Sequence, residues 1–278
     1  MPLKLMYITN KLEVARIAQA AGVDRIFVDM EFIGKAQRQG GMDTVQNHHT
    51  PEDVRNISGC ISSAQLLVRV NPIHGRTDGY MSSEEEINEA LNNGAQILML
   101  PYFKTVSEVE KFIELVNGRA KVMPLLETPQ AVACIDEILR LEGIDEIFIG
   151  LNDLSLGYKK KFMFELLSDG TVEELCVKFK KARIPYGFGG IAALGSGALP
   201  AEKIIREHYR LGSSSVILSR SFCNTDLITD LGLIREIFSK GIEKIRSFEE
   251  EVSGYSSYFS DNEKEIQRIV NDILKKKE

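Results

Sequence analysis

Along most of the chain a short apolar run gives way to a polar connection and then to an amphipathic stretch of helical period. The apolar runs are residues 4–9 (KLMYIT), 25–30 (RIFVDM), 65–70 (QLLVRV), 96–101 (QILMLP), 121–127 (KVMPLLE), 146–151 (EIFIGL), 185–190 (PYGFGG) and 214–219 (SSVILS). Their near-continuous apolar character is that of strands buried on both faces, as in a parallel sheet. Helix-like stretches lie at 11–21, 82–93, 105–116, 129–141, 171–182 and 200–210. Residues 82–93 open with serines and acids and stop at Gly94, in agreement with the helix dipole. Thr105 and Glu108 have the spacing of a capping box. Gly22, Gly94 and Gly143 each stand shortly before a strand and mark one helix-to-strand turn used three times.

Eight such units in 278 residues predict an α/β fold, a closed (β/α)8 TIM barrel. An open doubly wound sheet is the alternative; it usually has fewer strands, and no GxGxxG follows the first one. The barrel is assigned to residues 1–250 and a C-terminal helical extension to 251–278, after a break at Ser253-Gly254-Tyr255-Ser256-Ser257. The extension carries Ile266, Ile269, Val270, Ile273 and Leu274. With the barrel already complete, packing on a neighbouring subunit is preferred to packing on its own barrel.

In such barrels the chemistry sits where the strands end. Those positions hold Asp29, Met30 and Glu31, then Arg69 and Asn71, Pro101, Glu127 and Thr128. They continue with Gly150, Asn152 and Asp153, Gly189 and Gly190, and Ser219 and Arg220. Four carboxylates at one mouth repel each other. A divalent cation and the arginines would relieve that repulsion, and oxygen-only ligands favour Mg2+ or Mn2+ over zinc.

The stretch MPLLETPQAVACIDEIL followed by GIDEIFIGLNDLSLGY resembles the metal-ligand region of the HpcH/HpaI aldolase and citrate lyase β-subunit family, in the phosphoenolpyruvate/pyruvate-binding barrel superfamily. The segment EALNNGAQILMLPYFKTVSEVEKFI is similar to the family's fourth βα unit, and the resemblance runs over residues 14–220. It implies that Glu127, in Glu-Thr, and Asp153, in Gly-x-Asn-Asp-Leu, hold a divalent metal, with Arg69 of Val-Arg-Val-Asn beside it. It also implies aldol or Claisen-type carbon–carbon chemistry on pyruvate or a related 2-oxo acid. The metal would serve as Lewis acid for an enolate, and Arg69 would donate to the developing oxyanion. Backbone N–H groups around Gly150, Leu151, Asn152 and Asp153 would hold the substrate carboxylate. The family's aldolases place an acid/base histidine directly after the strand-two Asp-x-Glu; Phe32 stands there. Leu125 replaces a glutamine two positions before the metal glutamate. Asp29 and Glu31 remain as catalytic candidates, Glu31 either as a base or as a partner of water at the metal.

His48 and His49, in the long loop 31–49, are read as solvated, with a substitute base as the alternative. For His74 a structural and a functional role stand level, and His208, inside an amphipathic helix, is read as structural. Lys35 and Arg38, in a loop with Gly40-Gly41, either meet an anionic substrate tail or are solvated. The glycines between Gly187 and Gly197, before a helix near Pro200, suit either a phosphate or carboxylate site or tight turns.

The net charge of −6 gives no basic face and argues against a nucleic-acid partner. No apolar run reaches the roughly 18 residues of a membrane span, so no membrane partner is expected. The N-terminal stretch lacks the order of a signal peptide. Cys60, Cys134, Cys176 and Cys223 are widely spaced, which fits reduced thiols and a cytoplasmic location. The resemblance implies a homo-oligomer, a hexamer or trimer. Two other functions stay open: an enolate-based transferase or isomerase using phosphoenolpyruvate, and a non-catalytic metabolite-binding barrel.

Overall fold

The apolar runs become strands in a computed structural model, which describes residues 1–35 and 47–276. They are β1 (Lys4–Ile8), β2 (Arg25–Asp29), β3 (Gln65–Arg69), β4 (Ile97–Leu100), β5 (Lys121–Leu126), β6 (Ile147–Ile149), β7 (Tyr186–Ile191) and β8 (Ser215–Leu218). All pair in parallel in chain order, and β1 meets β8, closing the barrel. The helices are α1 (Leu12–Ala20), α2 (Pro51–Ser58), α3 (Ser83–Asn92), α4 (Val106–Val116), α5 (Pro129–Ala133) and α6 (Ile135–Ile138). They continue as α7 (Leu151–Gly157), α8 (Glu165–Ser168), α9 (Thr171–Ala182), α10 (Ala201–Leu211), α11 (Leu231–Ser253) and α12 (Phe259–Lys275). The Thr105–Glu108 capping box forms, and Ser82 with Glu85 makes a second. Gly22, Gly94 and Gly143 share φ values of 98°, 100° and 97°, the left-handed geometry of one repeated turn.

The helix expected at 129–141 is two short pieces that break at Cys134. Helix α2 was not foreseen, although its start is strongly marked: Thr50 and Asp53 cap each other and Pro51 takes the first helical position. The apolar stripe of α12, offered by sequence to a neighbouring subunit, lies on α8 and α10 of its own chain. Ile266 and Val270 are buried there, and Asn262 Nδ2 donates to the Lys203 carbonyl and to Glu207. Among the described residues no helix is long and apolar enough to cross a membrane.

Side chains alternate across each strand. The outward set joins the helices in the main core, while Met6, Phe27, Leu67, Ile97, Met99, Met123, Leu125 and Phe148 fill the barrel interior. Below this plug Arg25 is fully buried and meets the Glu146 carboxylate with two nitrogens, at 2.9 and 2.5 Å. The N-terminal pole is thereby sealed by charge pairing, and the open pole is the one at which the strands end.

Candidate active site

A cavity of about 340 Å³ opens at the C-terminal mouth. Glu127 follows β5 directly, and Asp153 lies in the first turn of α7, just beyond β6. Adjacent strands thus bring both carboxylates to the cavity wall. Gly150 makes this possible, because a Cβ there would come within 2.7 Å of Glu127 Oε2 and 2.9 Å of its Cβ. The Tyr102 N–H, after β4, donates to Glu127 Oε1 at 2.9 Å. Burial pushes the Glu127 carboxyl well above the usual range. The charges of Glu31 and Asp153 push the same way, against Arg69 and the Tyr102 N–H. The first turn of α7 has no side-chain cap, so the N–H groups of Leu151, Asn152 and Asp153 begin the helix beside the carboxylates.

Asp29, fully buried at the end of β2, is saturated with donors. Arg69 grips it with Nε and Nη2, both at 2.8 Å. Lys35 Nζ and Asn47 Nδ2 each reach Oδ2 at 2.9 Å, and the Glu31 N–H reaches Oδ1. Burial alone would raise this carboxyl; Arg69, Lys35 and Asn47 outweigh it and hold it well below the carboxylate range. Asp29 is therefore a fixed anion that orients Arg69. Arg69 also faces Glu31 Oε2 at 3.3 Å, and Lys35 does so at 3.6 Å. Of the two readings offered for Lys35, the solvated one is corrected: it is buried at the cavity wall, and its charge is paired with Asp29 and Glu31. Arg38 and Gly40-Gly41 lie outside the described residues.

The four histidines separate. His48 is exposed. His49, whose preferred reading is solvation, instead lines the cavity and accepts the Asp29 N–H on Nδ1 at 2.9 Å. His74 contacts the carbonyls of Pro72 and Met81 through its two ring nitrogens and stacks on Tyr80, a structural role. His208 is buried against Phe188, with ring centroids 3.8 Å apart, and burial pulls its pKa down to about 3. Phe32, at the position of the family histidine, packs edge-on against Tyr80 and is not part of the cavity wall. Asn71 is buried and shapes this turn. Its Oδ1 accepts the Phe32 and Ile33 N–H groups, and its Nδ2 donates to Glu86. Met30 faces the outer core.

Gly189 and Gly190 border the cavity, and the loop that follows them leads into α10. The Gly195 N–H already donates to Glu202 of α10. Gly187 is needed for packing, since a Cβ there would lie 2.4 Å from the Ser215 carbonyl oxygen. Sequence reasoning missed part of the wall: Thr9, Asn10 and Lys11 after β1, and Asn224, Thr225 and Asp226 after β8. Lys11 Nζ ties the two loops together through the Thr225 carbonyl, at 2.6 Å, and Asp226, at 3.0 Å. The β1 end carries no acidic or basic residue before Lys11, and ordinary polar loop residues give no signal of their own.

The chain matches the sequence model of the HpcH/HpaI aldolase/citrate lyase family over residues 5–168. It belongs to that family. The matched region runs from β1 through α8 and contains Asp29, Arg69, Glu127 and Asp153. Among solved structures, an HpcH/HpaI aldolase/citrate lyase family protein from Burkholderia cenocepacia J2315 superposes with a TM-score of 0.62 at 16% identity, covering 84% of this chain and 95% of that one. An HpcH/HpaI aldolase from Desulfitobacterium hafniense DCB-2 gives 0.59 at 16% identity, with 88% and 93% covered. These likenesses bear on the fold. A hydroxypyruvate/pyruvate aldolase from Roseovarius nubinhibens is 25% identical over 142 residues, 40% of this chain and 53% of that protein. The chain thus aligns with about half the length of that curated relative.

Proposed function

We propose that this HpcH/HpaI family member is a divalent-metal-dependent carbon–carbon lyase acting on pyruvate or a related short 2-oxo acid. The observation that carries the reading is the Glu127–Asp153 pair. Two carboxylates from adjacent strand ends line one cavity, and the carboxyl of Glu127 is raised by burial and by its acidic neighbours. A divalent cation held by such a pair would relieve the repulsion between the carboxylates. The donor set is oxygen only, which suits Mg2+ or Mn2+. Among the described residues no group of three or more His, Cys, Asp or Glu forms a metal cluster. The protein would then supply two carboxylates, in keeping with the habit of Mg2+ of retaining several waters. There is room for them, because Glu127 and Asp153 also border a second cavity of about 250 Å³. When bound, the cation supplies Lewis-acid stabilisation of negative charge growing on a substrate carbonyl oxygen.

The chain's own residues do the rest. Arg69 is clamped by Asp29 through Nε and Nη2 and has N–H groups left over to meet a substrate oxygen from the cavity wall. Asp29, saturated and anionic, positions that guanidinium and is not the proton carrier. The N–H groups at Leu151, Asn152 and Asp153, in the first turn of α7 beside the cavity, would bind the substrate carboxylate. The curated relative's name, hydroxypyruvate/pyruvate aldolase, supports a short 2-oxo acid as the substrate class.

The test is deuterium exchange at the methyl group of pyruvate, followed by NMR. Exchange should require Mg2+ or Mn2+ and fall by at least about 100-fold in Glu127→Gln and Asp153→Asn. An enzyme that enolises no short 2-oxo acid with any divalent ion would sink the reading.

A further inference from the structure

The β1–β2 ladder ends at the pair Ile8–Phe27, so the N–H of Asp29, on the β1 side of β2, lies beyond the last paired residue. Asp29 is fully buried, and an unpaired N–H there would be costly. The partner is a side chain: His49 Nδ1 accepts this N–H at 2.9 Å. A nitrogen that accepts a backbone N–H carries no proton of its own. The neutral ring therefore holds its proton on Nε2. His49 borders the cavity, and Nε2 has no hydrogen-bond partner among the described residues, nor is it among the buried, unsatisfied atoms.

The ring is held in place from behind. His49 immediately precedes Thr50, the N-cap of α2, where Thr50 and Asp53 bind each other reciprocally. Asp53 is tied in turn to Asn10 at the β1 rim, at 3.2 Å. The charged groups acting on the imidazole are Asp29 on β2, Asp53 on α2, Lys35 in the loop after β2 and Arg69 on β3. Burial disfavours the charged ring, Lys35 and Arg69 add to that, and the two aspartates oppose it, with a net fall below the ordinary histidine value.

We infer that His49 is a catalytic hydrogen-bond donor, a neutral imidazole whose Nε2–H is presented to a carbonyl or hydroxyl oxygen of the bound oxo acid or its aldehyde partner. It takes the place of an electrophile and does not stand in for the proton-relaying histidine that Phe32 displaces. Protonating Nδ1 would break the bond to Asp29, so the ring is poorly suited to shuttle a proton through its cationic form. The assignment rests on the lyase reading for its substrate, while the tautomer can be measured without it.

In the full-length protein, 15N NMR of the His49 ring at pH 7 should show Nδ1 unprotonated and Nε2 protonated. The Nε2 resonance should move when pyruvate is added with Mg2+. A protonated Nδ1, an imidazolium, or an Nε2 resonance indifferent to pyruvate overturns the assignment, whether or not the enzyme turns out to exchange pyruvate. Kinetics give a second arm. His49→Asn retains an acceptor for the Asp29 N–H but no donor reaching the cavity. It should keep the wild-type Tm and lose about 100-fold in exchange rate. His49→Gln, which can extend an N–H toward the Nε2 position, should recover part of that loss and share the acid limb of the wild-type pH profile. Wild-type activity in His49→Asn, or an acid limb that disappears in His49→Gln, counts against a neutral donor. Absence of exchange in the wild type, with the NMR result as expected, would instead count against the lyase reading.

Discussion

Two carboxylates whose charges both act on Arg69 live in opposite electrostatic worlds. Asp29 has more donors than it needs and is held ionised; Glu127 is crowded by Glu31 and Asp153 and is pushed toward its neutral form. Their effects on stability run in opposite directions with pH. The stability that Asp29 contributes is present above the ordinary aspartate pKa, near 3.9, and is lost as pH falls below it. Glu127 has a raised folded pKa, so its favourable contribution is complete below about 4.3 and disappears as pH rises through the folded value. Metal-free Glu127→Gln should therefore melt above the wild type at pH 8, by at least about 2 °C, and level with it at pH 4. Mg2+ should raise the wild-type Tm more at pH 8 than at pH 5, and should leave the variant unmoved. Differential scanning calorimetry on chelator-treated protein reads all of these; a variant that still responds to Mg2+ would remove Glu127 from the ligand set.

At the level of elements, the turn after β2 decides what this member does without the family histidine. Asn71 at the end of β3 fixes the Phe32 and Ile33 N–H groups, while Glu86 on α3 and Tyr80 hold the far side. Phe32 is turned toward Tyr80, away from the cavity wall. Restoring the family residue, Phe32→His, should accordingly leave the pyruvate exchange rate within about threefold of wild type. A gain of tenfold or more would mean that the turn can present a side chain to the substrate. Sequence placed the strand ends well, because period and composition report burial directly, and Glu127, Asp153, Arg69 and Asp29 do come to one mouth. It read His49 and Lys35 poorly. Both come from a polar loop whose spacing carries no period, and what draws them in is a single unpaired N–H and a single buried carboxylate, neither visible without the neighbouring strands. Helix α2 was overlooked although Thr50, Pro51 and Asp53 mark its start, because eight residues are too few for the apolar period to stand out.

For the molecule as a whole, the barrel was legible from the eight repeats, whereas the buried surroundings of His208 were not. His208 lies behind β7, stacked on Phe188, with Nε2 buried and without a hydrogen-bond partner among the described residues. Its folded pKa of about 3 lies far below the ordinary histidine value, so the unfolded chain takes up a proton that the folded chain refuses. Stability should be intact above pH 6.5 and decline below it by about 1.4 kcal/mol per pH unit from this residue alone. Urea unfolding of the wild type and His208→Leu between pH 7 and pH 5 measures it. The variant should show the shallower dependence, and parallel curves would place the sensitivity elsewhere.

Strand β2 carries Arg25, Phe27 and Asp29 on its inward side, and the segment through β6 carries Glu146, Phe148 and Gly150. One rod thus bears an anchor at its foot, a bolt at mid-height and a working group at its tip, and the rod it is anchored to is built in the same order. Sliding β2 by one residue would turn all three outward, and sliding it by two would set an arginine where the phenylalanine must fit. The ion pair at the closed floor thereby acts as a gauge block for the open mouth: it sets the height at which Asp29 grips Arg69, although it touches nothing that reacts.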